Sequence, residues 1–441
     1  MCGIVGYIGK NEAAPVLIDG LKRLEYRGYD SAGVAIYEKG KLNTRKMAGR
    51  LVKVEEALKA EPISGSLGIG HTRWATHGRP SDRNAHPHQD CSKKFSLVHN
   101  GIIENYMSIK EGLQEKGHSF NSETDTEVLP HLIEELYQGD MVAAVRQTLT
   151  KIEGAYAIVV VCEDFPDRLL VARKSSPLII GLGAGENYVA SDIPAILPYT
   201  REIYILEDGE MAMVTADQVE VTTFTGQLVA KKPYHFQWDI GAAEKNGYED
   251  FMLKEIHEQP RAVRDTLAGK IDRETKTVTL PEVYLTPDFI NGLKKVHVVA
   301  CGTAYHAGLV GKYLIEKLVR IPVEVDLASE FRYRGPLVEK DSLTIIISQS
   351  GETADTLAGL REAKRLGSRI LAVTNVVGSS VAREAEDLIL TLAGPEIAVA
   401  STKAYTTQLL SLYLLAIYLA QHKGTIAETD RVKMVDALLG L

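Results

Sequence analysis

Residues 342–367, SLTIIISQSGETADTLAGLREAKRLG, decide the fold of the C-terminal half of this sequence. An apolar run, LTIII, leads into a turn of serine and glycine and then into apolar positions at helical spacing. The same order recurs in VHVVACGTAYHAGLVGKYLIEKL at 296–318, and RILAVTN and DLILTL supply further apolar runs. Continuous apolar runs suit strands buried on both faces, so we predict a doubly wound parallel sheet over residues 284–424.

The serine-rich turn of this stretch has the chemistry of a phosphate site. SQSGET, residues 348–353, lies where a strand ends and a helix begins, so backbone N–H groups and the helix dipole would face an anion there. Ser348, Ser350 and Thr353 add hydroxyl groups, and Gln349 adds an amide. No GxxxxGK[ST] lysine is present, which argues against a nucleoside triphosphate. An ordinary N-cap serine is the alternative interpretation of this turn alone.

A second strand-to-helix turn has a similar character. Cys301, Gly302 and Thr303 follow the apolar run VHVVA and again open a helix. In an open α/β sheet, two such turns at the ends of neighbouring strands can face one crevice. We therefore expect both turns to contribute to one anion site.

The first 230 residues follow a different pattern, with short strands, glycine-rich turns and a few amphipathic helices. AYAIVVVCED at 155–164 has the all-apolar character of a buried strand, whereas TEVLPHLIEELYQG and MVAAVRQTLTKIEG have helical periodicity. This combination predicts sheets covered by helices over residues 2–219. Residues 220–283 are more polar and are predicted to form a structured linker, and residues 425–441 are interpreted as the start of a further C-terminal region.

Composition excludes several classes of function. The net charge of −8 gives no global attraction to nucleic acid or to an anionic membrane. The longest apolar stretch, Leu409–Ala420, is shorter than the roughly 20 residues needed to span a bilayer, so it predicts a buried or interface helix. The cysteines form no CxxC pair, which argues against a zinc knuckle or a disulfide framework and favours a reducing compartment. These cysteines are Cys2, Cys91, Cys162 and Cys301. We therefore expect no metal, no cofactor, no nucleic acid and a cytoplasmic location.

The chain opens with MCGIVGYIG, which places a thiol directly after the initiator methionine. If Met1 is removed, Cys2 carries both a thiol and a free α-amine, whose reference pKa is about 7.7–8.0. A weakly acidic thiol needs a base within hydrogen-bond reach, and an N-terminal nucleophile supplies its own. The alternative is a small residue at the start of a half-buried strand.

VHNG at 98–101 offers donors for a developing oxyanion through the Asn100 amide and the Gly101 backbone N–H. Asn-Gly between apolar runs is also a strong hairpin signal, so a turn is the alternative interpretation. The sequence after it soon becomes helical, which fits a two-strand hairpin poorly.

Charged residues for the two ends of a free amino acid occur in two further motifs. In HTRWATHG at 71–78, Arg73 offers a fork for a carboxylate, Trp74 a lid-sized aromatic ring, and Thr76 and His77 polar contacts. A solvated loop with the tryptophan in the core is the alternative. In SETDTEV, Asp125 could pair with an ammonium group, although the same residues also fit a helix capping box.

Taken in order, these motifs resemble the glutamine:fructose-6-phosphate amidotransferases (isomerizing), also called glucosamine-6-phosphate synthases. The resemblance covers essentially the whole chain and rests on MCGIVGYIG, RLEYRGYDSAG, HTRWATHG, NAHPH, HNGIIEN, SETDTE, ASEFRYR, SQSGETADTLAGLR and EIAVASTKAYTTQ. It implies an N-terminal-nucleophile α/β/β/α sandwich, the class II glutamine amidotransferase domain, followed by a sugar isomerase (SIS) domain.

The resemblance also implies roles for individual residues. Cys2 would attack glutamine, Asn100 and Gly101 would stabilise the oxyanion, and Trp74 would gate ammonia passage. Arg73 and Asp125 would bind the α-carboxylate and α-amine of glutamine, with Thr76 and His77 nearby. The sugar phosphate would be held by Thr303, Ser348, Gln349, Ser350 and Thr353, with Val399 and Ser401 at the sugar.

Two departures from the family accompany these roles. Ala304 stands where the family often has serine, so no hydroxyl contact is carried over there. Family members continue beyond the position of Leu441 into a second SIS domain and a tail, which supply an acid-base glutamate, a ring-opening histidine and a Schiff-base lysine. We therefore assign none of these three groups in this sequence, and we expect its glutaminase half to be complete and its synthase half to be incomplete.

The implied reaction transfers the amide nitrogen of glutamine to fructose 6-phosphate and yields glucosamine 6-phosphate and glutamate, the first step of hexosamine synthesis. The family resemblance also implies a homodimer. Two alternatives stay open at this point, a fragment that only hydrolyses glutamine and a non-catalytic sugar-phosphate sensor. Related amidotransferases would need an acidic diphosphate-sugar loop or an SGGxDS loop, and the sequence contains neither.

Overall fold

The computed structural model describes residues 2–25, 28–236 and 247–441. The chain divides into two compact units, Met1–Ala243 and Glu244–Leu441. Residues 237–246 of the predicted linker lie outside the described residues. On either side of them, residues 219–223 and 234–235 form strands that pair within sheets of the first unit, and residues 251–267 form a helix of the second.

The first unit is built from antiparallel strands. In chain order they are β1 (Gly3–Ile8), β2 (Ser31–Glu38), β3 (Lys41–Ala48), β4 (Leu67–Arg73), β5 (His88–Gln89), β6 (Phe95–Ile103), β7 (Gly154–Cys162), β8 (Leu169–Lys174), β9 (Ile179–Leu182), β10 (Asn187–Ala190), β11 (Glu202–Ile205), β12 (Glu210–Val214), β13 (Val219–Thr223) and β14 (Tyr234–His235). Its α-helices are α1 (Ala13–Lys22), α2 (Val52–Ala60), α3 (Tyr106–Glu115), α4 (Val128–Leu136) and α5 (Met141–Leu149).

These strands form two sheets that pack face to face. The eight-stranded sheet has the order β14-β11-β9-β10-β1-β4-β2-β3, and the six-stranded sheet has the order β13-β12-β8-β7-β6-β5. Apolar side chains of both sheets form one core, in which Ile4 and Ile69 of the first sheet meet Val98 and Val159 of the second. Alternation along each strand directs every second side chain into this core.

Helices cover the outer face of each sheet. Leu17 and Leu21 of α1 lie against Gly68 and Gly70 of β4, where an added Cβ would come within 2.9 Å of either leucine side chain. On the other side, residues of α3, α4 and α5 share a core with the outward-facing side chains of β6 and β7. The predicted α/β/β/α sandwich is therefore confirmed.

The second unit is a parallel sheet between helices. Its strands are β15 (Ile271–Asp272), β16 (Thr277–Val278), β17 (Lys295–Ala300), β18 (Val323–Leu327), β19 (Ser342–Ser348), β20 (Arg369–Thr374) and β21 (Asp387–Leu390). Its helices are α6 (Phe251–Leu267), α7 (Pro287–Gly292), α8 (Gly302–Leu318), α9 (Ala328–Phe331), α10 (Ala354–Arg365), α11 (Ser380–Glu384), α12 (Lys403–Lys423) and α13 (Glu428–Leu439). The short β15 and β16 pair with each other, antiparallel.

The five-stranded sheet has the order β18-β17-β19-β20-β21, and all its pairs are parallel. Ile345 and Ile347 of β19 face the core shared with α8 and α12, whereas Ile346 faces the core shared with α10 and α11. Both faces of the sheet are therefore covered, which confirms the predicted doubly wound domain.

The apolar stretch Leu409–Ala420 lies within α12, and its side chains from Leu414 to Ala420 are at most 8% exposed. The prediction of a buried helix is therefore confirmed. Among the described residues, no helix combines the length and the apolar character that crossing a membrane requires.

Candidate active site

The register between β1 and β4 places Cys2 beside the HTRWATHG motif. Gly3 pairs with Thr72 and Ile4 with His71, so Cys2, one residue before the strand, lies opposite Arg73. The Trp74 backbone N–H donates to Cys2 Sγ at 3.2 Å, and the thiol lies 3.5 Å from the Trp74 carbonyl oxygen. Burial raises the pKa of the Cys2 thiol, so at neutral pH the sulfur keeps its proton until a base removes it.

The Asn100 side chain is held with its amide nitrogen directed at Cys2. Its Nδ2 donates to the Cys2 carbonyl oxygen at 3.0 Å. Its Oδ1 lies 3.0 Å from Nε2 of His71, and the same Nε2 lies 3.1 Å from the His99 carbonyl oxygen. Because both partners are acceptors, His71 carries its proton on Nε2. A histidine of one sheet therefore orients the amide of the other.

Buried histidines surround this contact. The rings of His71 and His86 stack with their centroids 4.2 Å apart, and His86 contacts His88 edge to face. Burial lowers the pKa of His71 to about 3 and also lowers the pKa of His86, His88 and His99. All four rings are consequently neutral near pH 7, which keeps His71 a single-proton donor to Asn100.

Asn100 and Gly101 do not form a hairpin turn. Strand β6 continues through both residues, with Asn100 opposite Ala157 and Gly101 opposite Tyr156. Gly101 has φ +130°, and a Cβ built there would lie 1.9 Å from the Ala155 carbonyl oxygen. Only glycine satisfies both constraints, because it tolerates a positive φ and has no Cβ to meet the Ala155 carbonyl. The Gly101 backbone N–H therefore lies next to Asn100 in the strand with no side chain of its own to block it.

Arg73 and Asp125 are both buried, and each is tied to the motif around it. The Arg73 guanidinium donates through Nη2 to the carbonyl oxygens of His77 and Gly78, while its buried Nη1 has no hydrogen-bond partner among the described residues. Asp125 accepts the Ile103 N–H through Oδ2 at 2.8 Å, and its Oδ1 lies 3.8 Å from His77 Nδ1. One cation, at the end of β4, and one anion, just before α4, thus both lie against the segment at His77.

The remaining residues predicted for this site lie at its surface. Trp74 is 45% exposed and packs edge to face on Tyr29, so it is not a core residue. Thr76 is exposed, and its hydroxyl lies 3.4 Å from His77 Nδ1. Helix α4 begins after Glu127, not after Ser122, so the capping-box interpretation of SETD is wrong.

In the second unit, the two predicted turns lie at adjacent strand ends. Strand β17 is parallel to β19, with Ala300 opposite Ile347, so both chains leave the sheet at the same edge. The order of the sheet reverses between these strands, where open α/β sheets bind ligands. The Thr356 hydroxyl of α10 donates to Cys301 Sγ at 3.6 Å and so links the first turn to the helix that follows the second.

The turn at 348–353 is held rigidly. The Ser348 hydroxyl accepts the Gly351 N–H at 3.0 Å, and Gly351 has φ +66°. The Glu352 carboxylate accepts the backbone N–H and hydroxyl of Ser380 at 2.8 and 2.9 Å. Thr353 precedes α10, and its side chain makes no capping bond. A serine N-cap is therefore not the explanation of this turn.

Val399 and Ser401 lie on one loop that precedes α12. Val399 is exposed, and the Ser401 hydroxyl donates to Glu396 at 3.0 Å. Ala304 is buried in the apolar core beneath α8, so this position contributes packing.

One residue that contacts the loop of Val399 and Ser401 was not predicted from the sequence. Glu255 of α6 accepts the N–H groups of Ile397 and Ala398 through one oxygen, at 2.5 and 3.0 Å, although it is 142 residues distant from Ile397. Burial raises the pKa of Glu255 to about 7. Its position on a polar helix resembles any surface glutamate, so no sequence signal distinguishes it. His71 was likewise not predicted, although it stands within HTRWATHG.

Comparison with known proteins identifies one domain family in each unit. A glutamine amidotransferase domain model matches residues 71–198, and a SIS domain model matches residues 290–418. A glutamine–fructose-6-phosphate aminotransferase (isomerizing) of Clostridium tetani is 57% identical over 441 residues, 100% of this chain and 72% of that protein. The protein of the same name from Symbiobacterium thermophilum is 58% identical over 438 residues, 99% of this chain and 72% of that protein.

Among solved structures, the C-terminal domain of glucosamine-fructose-6-phosphate aminotransferase from Francisella tularensis is 40% identical, with a TM-score of 0.42 over 45% of this chain and 55% of that one. The whole-chain identity to the curated relatives is what assigns the family. The chain belongs to the family of isomerizing glutamine–fructose-6-phosphate aminotransferases.

Proposed function

We propose that this chain transfers the amide nitrogen of glutamine to fructose 6-phosphate, giving glucosamine 6-phosphate and glutamate. The observation that carries the proposal is the Asn100 amide, which His71 holds at 3.0 Å so that Nδ2 points at Cys2. Such a preset donor beside a thiol suits acyl transfer from an amide.

In the first half-reaction, the α-amine of Cys2 removes the thiol proton and Sγ attacks the side-chain carbonyl carbon of glutamine. The oxyanion receives hydrogen bonds from Asn100 Nδ2 and the Gly101 N–H. Collapse of the tetrahedral intermediate, with a proton delivered to the leaving nitrogen, releases ammonia and leaves a thioester. Water then hydrolyses the thioester to glutamate and regenerates the thiol.

Arg73 and Asp125 are proposed to hold the two charged ends of glutamine. The unpartnered Nη1 of Arg73 supports a carboxylate contact, because a buried guanidinium N–H without an acceptor is costly. Asp125 is buried and lies beside His77, which supports an ammonium contact. Thr76 and His77 would complete the rim of the site, and Trp74 would close over it and gate the ammonia.

The second half-reaction is proposed to use the crevice between the two turns of the parallel sheet. Backbone N–H groups at the start of α8 and α10 would receive the phosphate, since helix N-termini carry unpaired donors and a partial positive charge. Hydroxyl and amide groups would add to them, with two further residues at the sugar. These are Thr303, Ser348, Gln349, Ser350, Thr353, Val399 and Ser401.

A homodimer and a cytoplasmic location complete the proposal, as the family resemblance implies. All four cysteines of the chain are unpaired, which suits a reducing compartment and an active-site thiol.

The test compares glutamate release from glutamine by the purified chain and by Cys2→Ala, with intact mass recorded to establish removal of Met1. We expect turnover to fall to background in Cys2→Ala. Cys162→Ala removes another buried thiol of the same unit and should retain turnover. Equal rates for wild type and Cys2→Ala would contradict the mechanism. Binding of fructose 6-phosphate without any glutamine turnover would favour the sugar-phosphate sensor instead.

A further inference from the structure

Four side chains with metal-binding atoms converge at one place in the first unit, and none of them is among the residues proposed to act on glutamine. Cys91 lies in the loop between β5 and β6, His118 in the loop after α3, and His131 and Glu134 on α4. Their ligand atoms, one from each residue, all lie within 4.8 Å of one another.

Five of the six separations between these atoms are close to those of a tetrahedral site. Cys91 Sγ lies 3.7 Å from His118 Nδ1 and 3.4 Å from His131 Nδ1, and the two Nδ1 atoms are 3.4 Å apart. Glu134 Oε2 lies 3.3 Å from His118 Nδ1 and 3.8 Å from His131 Nδ1. Zinc bonds of about 2.0–2.3 Å in tetrahedral geometry would place ligand atoms roughly 3.3–3.6 Å apart.

The groups behind the ligands orient them inward. Glu134 accepts the backbone N–H groups of Cys91 and Ser92 at 3.1 and 3.0 Å, which fixes its carboxylate toward the thiol. His118 directs Nε2 to the Glu135 carboxylate at 3.3 Å. His131 Nε2 has no hydrogen-bond partner among the described residues and lies 3.9 Å from Glu127 Oε1. Histidines that bind metals commonly have a carboxylate on the opposite ring nitrogen in this way.

We propose that Cys91, His118, His131 and Glu134 bind one zinc ion. One thiolate and one carboxylate neutralise a dication, and sulfur with imidazole nitrogen is a donor set that suits zinc. Four protein ligands leave no open position, so the ion is structural, not catalytic. The ion would connect the loop before β6 and the loop after α3 to α4. Asp125 lies in the segment just before α4.

The cysteines form no CxxC pair, which is why no metal site was expected from the sequence. Cys91 and His131 are 40 residues apart, so their separation in sequence gave no zinc-finger spacing. Only His131 and Glu134, three residues apart on one helix, carried a local signal, because i and i+3 positions share a helix face.

The test uses the full chain, stripped of metal with a chelator, then incubated with excess zinc and separated from free zinc by gel filtration. We expect one zinc per chain by elemental analysis. Replacement by cobalt should give the visible absorption of a tetrahedral site together with a near-ultraviolet thiolate charge-transfer band. Less than about a tenth of an equivalent retained by the wild type would overturn the proposal, because structural zinc sites bind tightly.

Variants identify the ligands. Cys91→Ala should lose the thiolate charge-transfer band, and His118→Ala should lose stoichiometric zinc. His235→Ala is the matched control, because His235 also pairs with a carboxylate, Glu202 at 2.6 Å, outside the cluster. Retention of one zinc by both cluster variants would show that the metal binds elsewhere and would overturn the assignment.

Glu135→Gln separates a bound ion from a hydrogen-bonded cluster even if the ligand variants fail to fold. Loss of this carboxylate should weaken zinc binding by about 10- to 100-fold while the chain stays folded by circular dichroism. An unchanged zinc affinity would contradict the geometry argued for His118.

Discussion

Replacing Asn100 by alanine separates catalysis from stability at the proposed oxyanion site. Loss of one oxyanion donor costs about 100- to 1,000-fold in kcat, equivalent to about 2.7–4 kcal/mol of transition-state stabilisation. Arg73 and Asp125, the proposed contacts for the two charged ends of glutamine, remain in place, so KM for glutamine should change little. The expected pattern is therefore a fall in kcat at nearly constant KM.

The cost to folding follows from the contacts that Asn100 makes. The variant loses the 3.0 Å bonds to Cys2 and His71, but His71 keeps its 3.1 Å bond to the His99 carbonyl, so no buried donor is stranded. Two hydrogen bonds at about 1 kcal/mol each give a loss of about 2 kcal/mol in the free energy of unfolding. Urea unfolding at the pH of the assay measures this loss.

Asn187→Ala is the matched control. Asn187 is buried to a similar degree, and its amide donates to Thr215 and Ala216, remote from the thiol in sequence. It should lose comparable stability and keep its kcat in the glutamate-release assay. A fall of less than tenfold for Asn100→Ala, or an equal fall for both variants, would refute the assignment of Asn100 as an oxyanion donor.

Three further predictions concern the backbone at Gly101, the dependence of stability on pH, and the loop of Val399 that is proposed to contact the sugar. Gly101→Ala should cost several kcal/mol in urea unfolding, because its Cβ would overlap the Ala155 carbonyl, whereas Gly112→Ala in α3 meets nothing within 4 Å and should gain about 1 kcal/mol. The free energy of unfolding should fall as pH drops below about 6.5, by up to about 1.4 kcal/mol per pH unit for each buried neutral histidine, because the unfolded chain takes up protons that the folded chain excludes. Urea unfolding between pH 7.5 and 5 measures this fall. A flat profile would contradict the burial of His71, His86, His88 and His99. Glu255→Ala should release the loop that carries Val399 and weaken fructose 6-phosphate binding by roughly tenfold, the loss expected for about one hydrogen bond, as calorimetry would show. An unchanged affinity would show that this loop does not contribute to the proposed sugar site.

Local patterns were sufficient for much of the fold. The apolar runs of β7, β17 and β19 are local properties of a buried strand, so the sequence predicted these strands in both units. The turn at 348–353 was likewise predicted at a strand end, because its serines and glycine immediately follow LTIII. Motifs with their residues close in sequence, such as HTRWATHG, could be interpreted in the same way.

Contacts between residues that are distant in sequence could not be predicted. His71 orients Asn100 only because two sheets pack face to face, and Glu255 holds residues 397–398 only because α6 lies against that loop. Neither residue differs in type from many others of the chain. The role of each residue depends on which hydrogen-bond partners the packing of the chain places within about 3 Å of it.

The sequence by itself determined the two domain types and most of the residues proposed to act on glutamine and the sugar phosphate, since periodicity and short motifs are written in consecutive positions. The tertiary structure alone decided the orientation of the Asn100 amide, the neutral state of the histidines beneath it and the convergence of Cys91 with His118, His131 and Glu134. These depend on burial and on distances between residues tens of positions apart. Only the packed chain sets such distances, because hydrogen bonds and metal coordination act over a few ångströms in space and are indifferent to separation along the sequence.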